Sequence, residues 1–299
     1  MKLRRHRAKL GLVGFQTLID AASLQQLLGS PGLAVVDCRF DLANPQAGRQ
    51  TFLAGHIPGA RYADLNKDLS APVSLSSGRH PLPETEVLAE RLGKLGVAYG
   101  TQVVAYDDTN GSFAARLWWL LRWLGHADVA VIDGGLAAWI AAGGALQAGE
   151  AQAKTHEDED STRGFSPRTA ANFVASTDEV MQALADPERL LVDARAPERF
   201  AGRVEPLDTV AGHIPGAVNH PYTANLAADG RFLPPGELRR RWQTLGAVDP
   251  RNIIAMCGSG VTACHNLLSL EVAGLSGAKL YAGSWSEWVR DAERPVARG

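Results

Sequence analysis

Seven consecutive residues, Ala-Gly-His-Ile-Pro-Gly-Ala, occur twice in this chain, at 54–60 and again at 211–217. An identical run in each half marks an internal duplication, and a duplicated chain is expected to fold as two copies of one unit. The length agrees. Domains cluster around roughly 100 to 150 residues, so the 299 residues here suit two cores better than one.

The order of elements repeats around these segments. Upstream of each copy stands a short apolar run ending in an acid, Leu33-Ala34-Val35-Val36-Asp37 followed by Cys38-Arg39, and Leu190-Leu191-Val192-Asp193 followed by Ala194-Arg195. Downstream come a helical stretch and a second apolar run, Gln102-Val103-Val104-Ala105-Tyr106 before Asp107 and Asn252-Ile253-Ile254-Ala255-Met256 before Cys257. A glycine-rich turn and tryptophan close each half, Asp133-Gly134-Gly135 with Trp139 and Ala282-Gly283-Ser284 with Trp285 and Trp288.

Strands that are apolar throughout, separated by helices, predict a parallel sheet covered on both faces. The expected class is α/β, with two tandem domains over residues 15–142 and 173–299, each a mostly parallel sheet flanked by helices. The intervening 143–172 is polar and contains His156-Glu157-Asp158-Glu159-Asp160. We read it as a solvated linker rather than a metal or partner site.

Composition narrows the function classes. A formal net charge of −2 and a pI near 6.5 provide no attraction to nucleic acid or to an anionic membrane. The one basic cluster, Lys2, Arg4, Arg5, Arg7 and Lys9, reads as a solvated extension. No run is long enough to span a bilayer, and Leu10 to Phe15, broken by Gly11 and Gly14, is too short for a secretory signal. The three cysteines Cys38, Cys257 and Cys264 form no CxxC pair and no disulfide framework, so a reduced, cytoplasmic protein without metal or cofactor is expected.

Ligands of an open parallel sheet bind beyond the carboxyl ends of its strands. There the second half reads Cys257-Gly258-Ser259-Gly260-Val261-Thr262-Ala263, between an apolar strand and a helical run. Two glycines let the backbone curl so that successive N–H groups face one spot, and the helix adds the positive end of its dipole. Such a spot stabilises thiolate over thiol and activates Cys257 without a neighbouring histidine. At the matching place the first half has Asp107, which is no sulfur nucleophile. That domain is therefore expected to be catalytically inactive and to shape the cleft.

With these residues in hand the chain resembles the tandem-domain rhodanese family, the thiosulfate and 3-mercaptopyruvate sulfurtransferases, from about Phe15 to Trp288. The resemblance rests on the repeated Gly-His-Ile-Pro-Gly-Ala segment, the Asp-Ala-Arg strand end and the Cys257 loop. It implies ping-pong transfer of sulfane sulfur from a small-molecule donor through a Cys257 persulfide to cyanide or to a thiol such as thioredoxin or a small thiol. It also implies a substrate-binding set of Arg199, Gly258, Gly260, Val261 and Thr262, and an acid/base relay of Asp64, His80 and Ser259. Thiosulfate-specific members have basic side chains at the second and third loop positions, where this chain has Gly258 and Ser259. A neutral loop favours the monocarboxylate 3-mercaptopyruvate over dianionic thiosulfate, which stands as the alternative donor. A second substrate arginine has no clear equivalent in Val204-Glu205-Pro206-Leu207-Asp208, and Arg203 is the nearest substitute.

Other readings compete. A phosphatase of the Cys-x5-Arg type needs an arginine where Ala263 stands. A sulfur-binding scaffold would not need the intact Cys257 loop. Cys264 reads as a packed helix cysteine, His56 and His213 as buried turn residues, Asp37 and Asp193 as strand-end anchors, and the seven tryptophans as core or interface.

Overall fold

The computed structural model describes residues 14–150, 166–169 and 171–299. The basic cluster at 2–9, the acidic run at 156–160 and much of the expected linker lie outside the described residues. Among the described residues no helix is long and apolar enough to cross a membrane.

The first domain runs β1 (Leu18–Ile19), α1 (Ala21–Leu27), β2 (Leu33–Asp37), α2 (Ala47–Ala54), β3 (Arg61–Tyr62), α3 (Thr85–Lys94), β4 (Gln102–Tyr106), α4 (Ala114–Trp123), β5 (Val129–Ile132) and α5 (Gly135–Ala141). The second runs α6 (Thr177–Ala183), β6 (Leu190–Asp193), α7 (Pro197–Phe200), β7 (Val218–Asn219), α8 (Pro235–Thr244), β8 (Ile253–Met256), α9 (Ala263–Val272), β9 (Lys279–Leu280) and α10 (Ser284–Trp288).

Both sheets are parallel and share one strand order. The first is β1-β5-β4-β2-β3 and the second, read the same way, β9-β8-β6-β7. An isolated parallel bridge from Val174 to Leu280 occupies the place of the β1 pairing. The central strands β4 and β8 are buried at every residue, as their unbroken apolar runs require.

The duplicated turns repeat in atomic detail. Asp37 pairs with Arg39, whose Nη2 also reaches the Gly55 carbonyl at 2.7 Å. Asp193 pairs with Arg195, which reaches Gly212 at 2.8 Å. The imidazole of His56 bonds through Nδ1 to the Phe52 carbonyl at 2.9 Å and stacks on that ring. His213 does the same with Phe200, at 2.8 Å. These bonds fix the chain entering each sheet, although the Nε2 of His56 has no partner among the described residues.

The domains meet through α4 and α9. Residues 114–121 of α4 and 263–270 of α9 are buried on all sides, which places both helices inside a core rather than on a surface. One apolar cluster passes from Val36 and Val103 through Leu117, Leu120, Leu267 and Leu268 to Val192 and Ala255. The start of the expected linker is tied to the first domain: Gln147 and His56 exchange backbone hydrogen bonds of 2.8 and 2.9 Å, and Gly149 donates to Leu53.

Candidate active site

Cys257 follows β8 directly and is almost wholly buried. Its N–H donates to the Ser284 hydroxyl at 3.1 Å, its carbonyl accepts from Trp285 N at 3.0 Å, and the Gly258 carbonyl accepts from Ser286 N at 2.9 Å. The loop then curls through Gly260, whose φ of 75° and whose approach to the Ala282 carbonyl leave no room for a Cβ. Among the described residues no acceptor meets the N–H groups of Gly258, Ser259, Gly260, Val261, Thr262 or Ala263. Those amides belong to the turn that leads from Cys257 into the amino end of α9.

The first domain shows what such a turn holds. Asp107 follows β4 as Cys257 follows β8, and its carbonyl accepts from Leu136 N at 2.8 Å, the counterpart of the Trp285 bond. The Asp107 carboxylate accepts four backbone N–H groups, from Thr109 at 2.9 Å and from Gly111, Phe113 and Ala114 at 2.8 Å each. An anion fills the amide ring in one domain. In the other, Cys257 holds the matching position in the chain.

His80 comes from the first domain, in the loop before α3, and its Nδ1 meets the Ser259 Oγ at 2.7 Å. Burial, followed by the charges of Arg116 and Arg79, pulls its pKa down to about 3, so the imidazole is neutral. The expected third member of the relay is not joined to this pair. The Asp64 carboxylate accepts the N–H groups of Asn66 and Lys67 at 2.8 and 3.1 Å, because a carboxylate two and three residues before free amides caps its own turn.

Two arginines that sequence reasoning did not place in the site are found there. Arg116, fully buried in α4, donates to the Gly260 carbonyl and to the His80 carbonyl, each at 3.1 Å. No carboxylate pairs with it among the described residues, its Nε is unbonded, and burial lowers its pKa while the neighbouring thiols Cys264 and Cys257 raise it. Its signal was visible: Arg116 is the lone charge in the apolar run Ala-Ala-Arg-Leu-Trp-Trp-Leu-Leu. Arg79 is the second. A Cβ built on Gly258 would lie 2.9 Å from Arg79 Nη2 and 3.4 Å from Arg199 Nη1, so one guanidinium from each domain hangs over the neutral loop. The cations absent from the loop positions thus arrive from elsewhere in the chain.

Arg199 itself is half-occupied, held by Glu205 at 2.7 Å and by Asp208 at 3.3 Å. Arg203, the expected substitute for a second substrate arginine, has a side chain that is 63% exposed and that pairs with Glu198 at 3.9 Å. Gly258 and Gly260 contribute backbone. Val261 is buried and Thr262 precedes α9 without a side-chain capping bond, their carbonyls accepting from Cys264 N at 3.0 Å and His265 N at 3.1 Å. Cys264 is buried, donates to the Gly260 carbonyl at 3.3 Å and has its pKa pushed up to about 12, chiefly by burial, so it stays a thiol. All three cysteines are free.

Comparison with known proteins matches the rhodanese-like domain model twice, over residues 20–142 and 176–291. The chain is 49% identical over 285 residues to the "probable 3-mercaptopyruvate sulfurtransferase" of Pseudomonas aeruginosa, covering 94% of this chain and 98% of that one. It is 32% identical to the thiosulfate sulfurtransferase of Bos taurus over 88% of this chain and 86% of that one. Among solved structures, the Escherichia coli 3-mercaptopyruvate sulfurtransferase superposes with a TM-score of 0.76 at 32% identity, covering 91% of this chain and all of that one.

Proposed function

The chain belongs to the rhodanese-like sulfurtransferase family, and from that membership we propose that it takes sulfur from 3-mercaptopyruvate onto Cys257 and passes it to a thiol or to cyanide. The Cys257 thiolate attacks the donor sulfur and an S–S bond forms. The C–S bond breaks, its electron pair going to the enolate of pyruvate, and a proton on carbon completes the product. An acceptor thiolate or cyanide then attacks the outer sulfur, and the S–S electron pair returns to Cys257.

The observation that carries this reading is the run of loop N–H groups after Cys257 that meet no acceptor among the described residues, at the turn whose counterpart in the first domain forms a ring of amides around the Asp107 carboxylate. Such a ring suits a thiolate and a persulfide anion. Ser259, hydrogen-bonded to neutral His80, is the proton donor closest in chemistry to the departing enolate. Asp64 has no direct part in this scheme and holds its own turn. Arg199 and Arg79 receive the donor carboxylate through the nitrogens that face Gly258. Buried Arg116 offsets the negative charge that develops on the sulfur. The physiological acceptor is a small thiol or a thiol protein such as thioredoxin, and the three free cysteines suit a reducing compartment.

Thiosulfate is the second reading, favoured by the two guanidinium groups over Gly258. Comparing kcat/KM for the two donors with cyanide as acceptor separates them. Higher efficiency with 3-mercaptopyruvate supports our reading, and higher efficiency with thiosulfate reverses it.

A further inference from the structure

The charges above the cysteine loop form a closed set. Arg79 bonds through Nη1 to Asp208 Oδ1. Arg199 bonds through Nη2 to the other oxygen of Asp208 at 3.3 Å and to Glu205 at 2.7 Å. Glu205 also takes Arg195 at 3.4 Å, and Asp193 takes Arg195 at 2.7 Å. Three guanidinium groups, Arg79, Arg195 and Arg199, therefore face three carboxylates, Asp193, Glu205 and Asp208, and the set is neutral. The Glu205 and Asp208 side chains are 3% and 6% exposed, so solvent screens this balance poorly.

Asp208 is the member that spans the domains. Its two oxygens join Arg79 of the first to Arg199 of the second. Each of these arginines keeps one terminal nitrogen without a hydrogen bond among the described residues, Arg79 Nη2 and Arg199 Nη1, and both lie near Gly258. An incoming carboxylate can use those two nitrogens while Asp208 stays in place. A single negative charge then meets a neutral rim. A dianion brings a second charge that the two rim arginines, already balanced by Asp208 and Glu205, do not match, in a partly desolvated cleft.

We propose that Asp208 sets the charge of the sulfur donor, admitting a monocarboxylate and penalising a dianion by neutralising the two arginines over the Cys257 loop. The proposal rests on the sulfurtransferase reading above and adds the residue that selects the donor. Donor chemistry stays balanced in either case: with thiosulfate the S–S bond breaks, sulfite leaves with the electron pair, and the sulfane sulfur bonds to Cys257. Selectivity of this kind comes from an added repulsive charge rather than from a new contact.

The test uses the full-length protein with cyanide as acceptor and measures kcat/KM for thiosulfate and 3-mercaptopyruvate in wild type, Asp208→Asn, Asp208→Ser and Asp208→Glu. Removing one charge is expected to raise the thiosulfate to mercaptopyruvate ratio about tenfold or more in both neutral variants, mainly through the KM for thiosulfate. That KM should also rise more steeply with potassium chloride than in wild type, since the gain is electrostatic. Asp208→Glu should restore the wild-type ratio. An unchanged or lower ratio in the neutral variants, or a glutamate variant that behaves like asparagine, overturns the proposal. If wild type transfers sulfur from 3-mercaptopyruvate and the ratio still does not move, only the role of Asp208 fails. If wild-type Cys257 takes sulfur from neither donor, the functional reading fails and this one with it.

Discussion

His80 and Ser259 lie 179 positions apart in sequence and meet side chain to side chain at 2.7 Å, across the boundary between the two domains. The first domain supplies the imidazole and the cysteine loop of the second supplies the hydroxyl. With the His80 pKa near 3, the ring does not change charge in the range where the protein works.

From that relationship, His80→Gln and Ser259→Ala should each lower the rate of pyruvate release from 3-mercaptopyruvate, by about a hundredfold. Discharge of a preformed Cys257 persulfide to cyanide needs no proton on carbon and should be nearly unaffected. Single-turnover measurement of the two half-reactions checks this. The ratio of wild-type to His80→Gln rates should stay flat between about pH 5 and 8, and a break near the ordinary histidine value of about 6.5 would contradict a neutral His80.

Acid stability follows from two buried rings. His80 and His265 both titrate near 3, each driven down first by burial. The unfolded chain binds these protons near 6.5, well above the folded state, so the stability they hold is complete above about 6.5 and declines as pH falls toward 3. His265 is held through Nε2 by the Asn110 carbonyl at 3.2 Å and through Nδ1 by Asn225 at 3.3 Å. Thermal unfolding from pH 7 to 4 should show a falling Tm, and His265→Gln should flatten that slope while lowering Tm at pH 7.

Ser284 has a φ of 54°, and its hydroxyl accepts the Cys257 N–H. The matching residue of the first domain is Gly135, at 58°. The second domain thus keeps a strained serine where the first has glycine. Ser284→Ala should destabilise by about 1–3 kcal/mol, since a buried N–H loses its partner and the strain remains. Ser284→Gly should be about 1 kcal/mol more stable than the alanine variant, because glycine adopts this conformation freely. Urea unfolding of the two variants decides the order.

Asp107 holds four backbone N–H groups and so fastens the loop that carries Asn110 and Gly111 against His265. Asp107→Asn should cost about 2–4 kcal/mol through weakened charge-assisted bonds and one amide group turned toward other donors. Denaturant titration measures it. Sulfur loading of Cys257 should persist below the unfolding transition, because the backbone groups that the Asp107 carboxylate holds all belong to the first domain.

The duplication, both sheets and the matching of Asp107 with Cys257 were legible because each depends on short-range pattern: an apolar strand, a turn of fixed length, a helix. Arg199 and the Ser259–His80 pairing came through the family resemblance. Arg79 and Asp208 were not legible, and Arg116 showed only as a lone charge in an apolar run, since their partners come from contacts that only the docking of α4 on α9 creates. Arg116 is separated from Gly260 by 144 positions and Arg79 from Asp208 by 129. Asp64 entered through the resemblance, and the sequence did not show that its carboxylate accepts the N–H groups of its own turn.

The account turns on Cys257 as the one thiol that accepts and holds sulfur. The full-length protein is mixed with 3-mercaptopyruvate without acceptor, digested, and analysed by mass spectrometry. A gain of one sulfur atom on the peptide containing Cys257, absent in Cys257→Ser and unchanged in Cys264→Ser, is the predicted result. Sulfur on Cys264 or Cys38 instead, or none on any cysteine, would contradict the account.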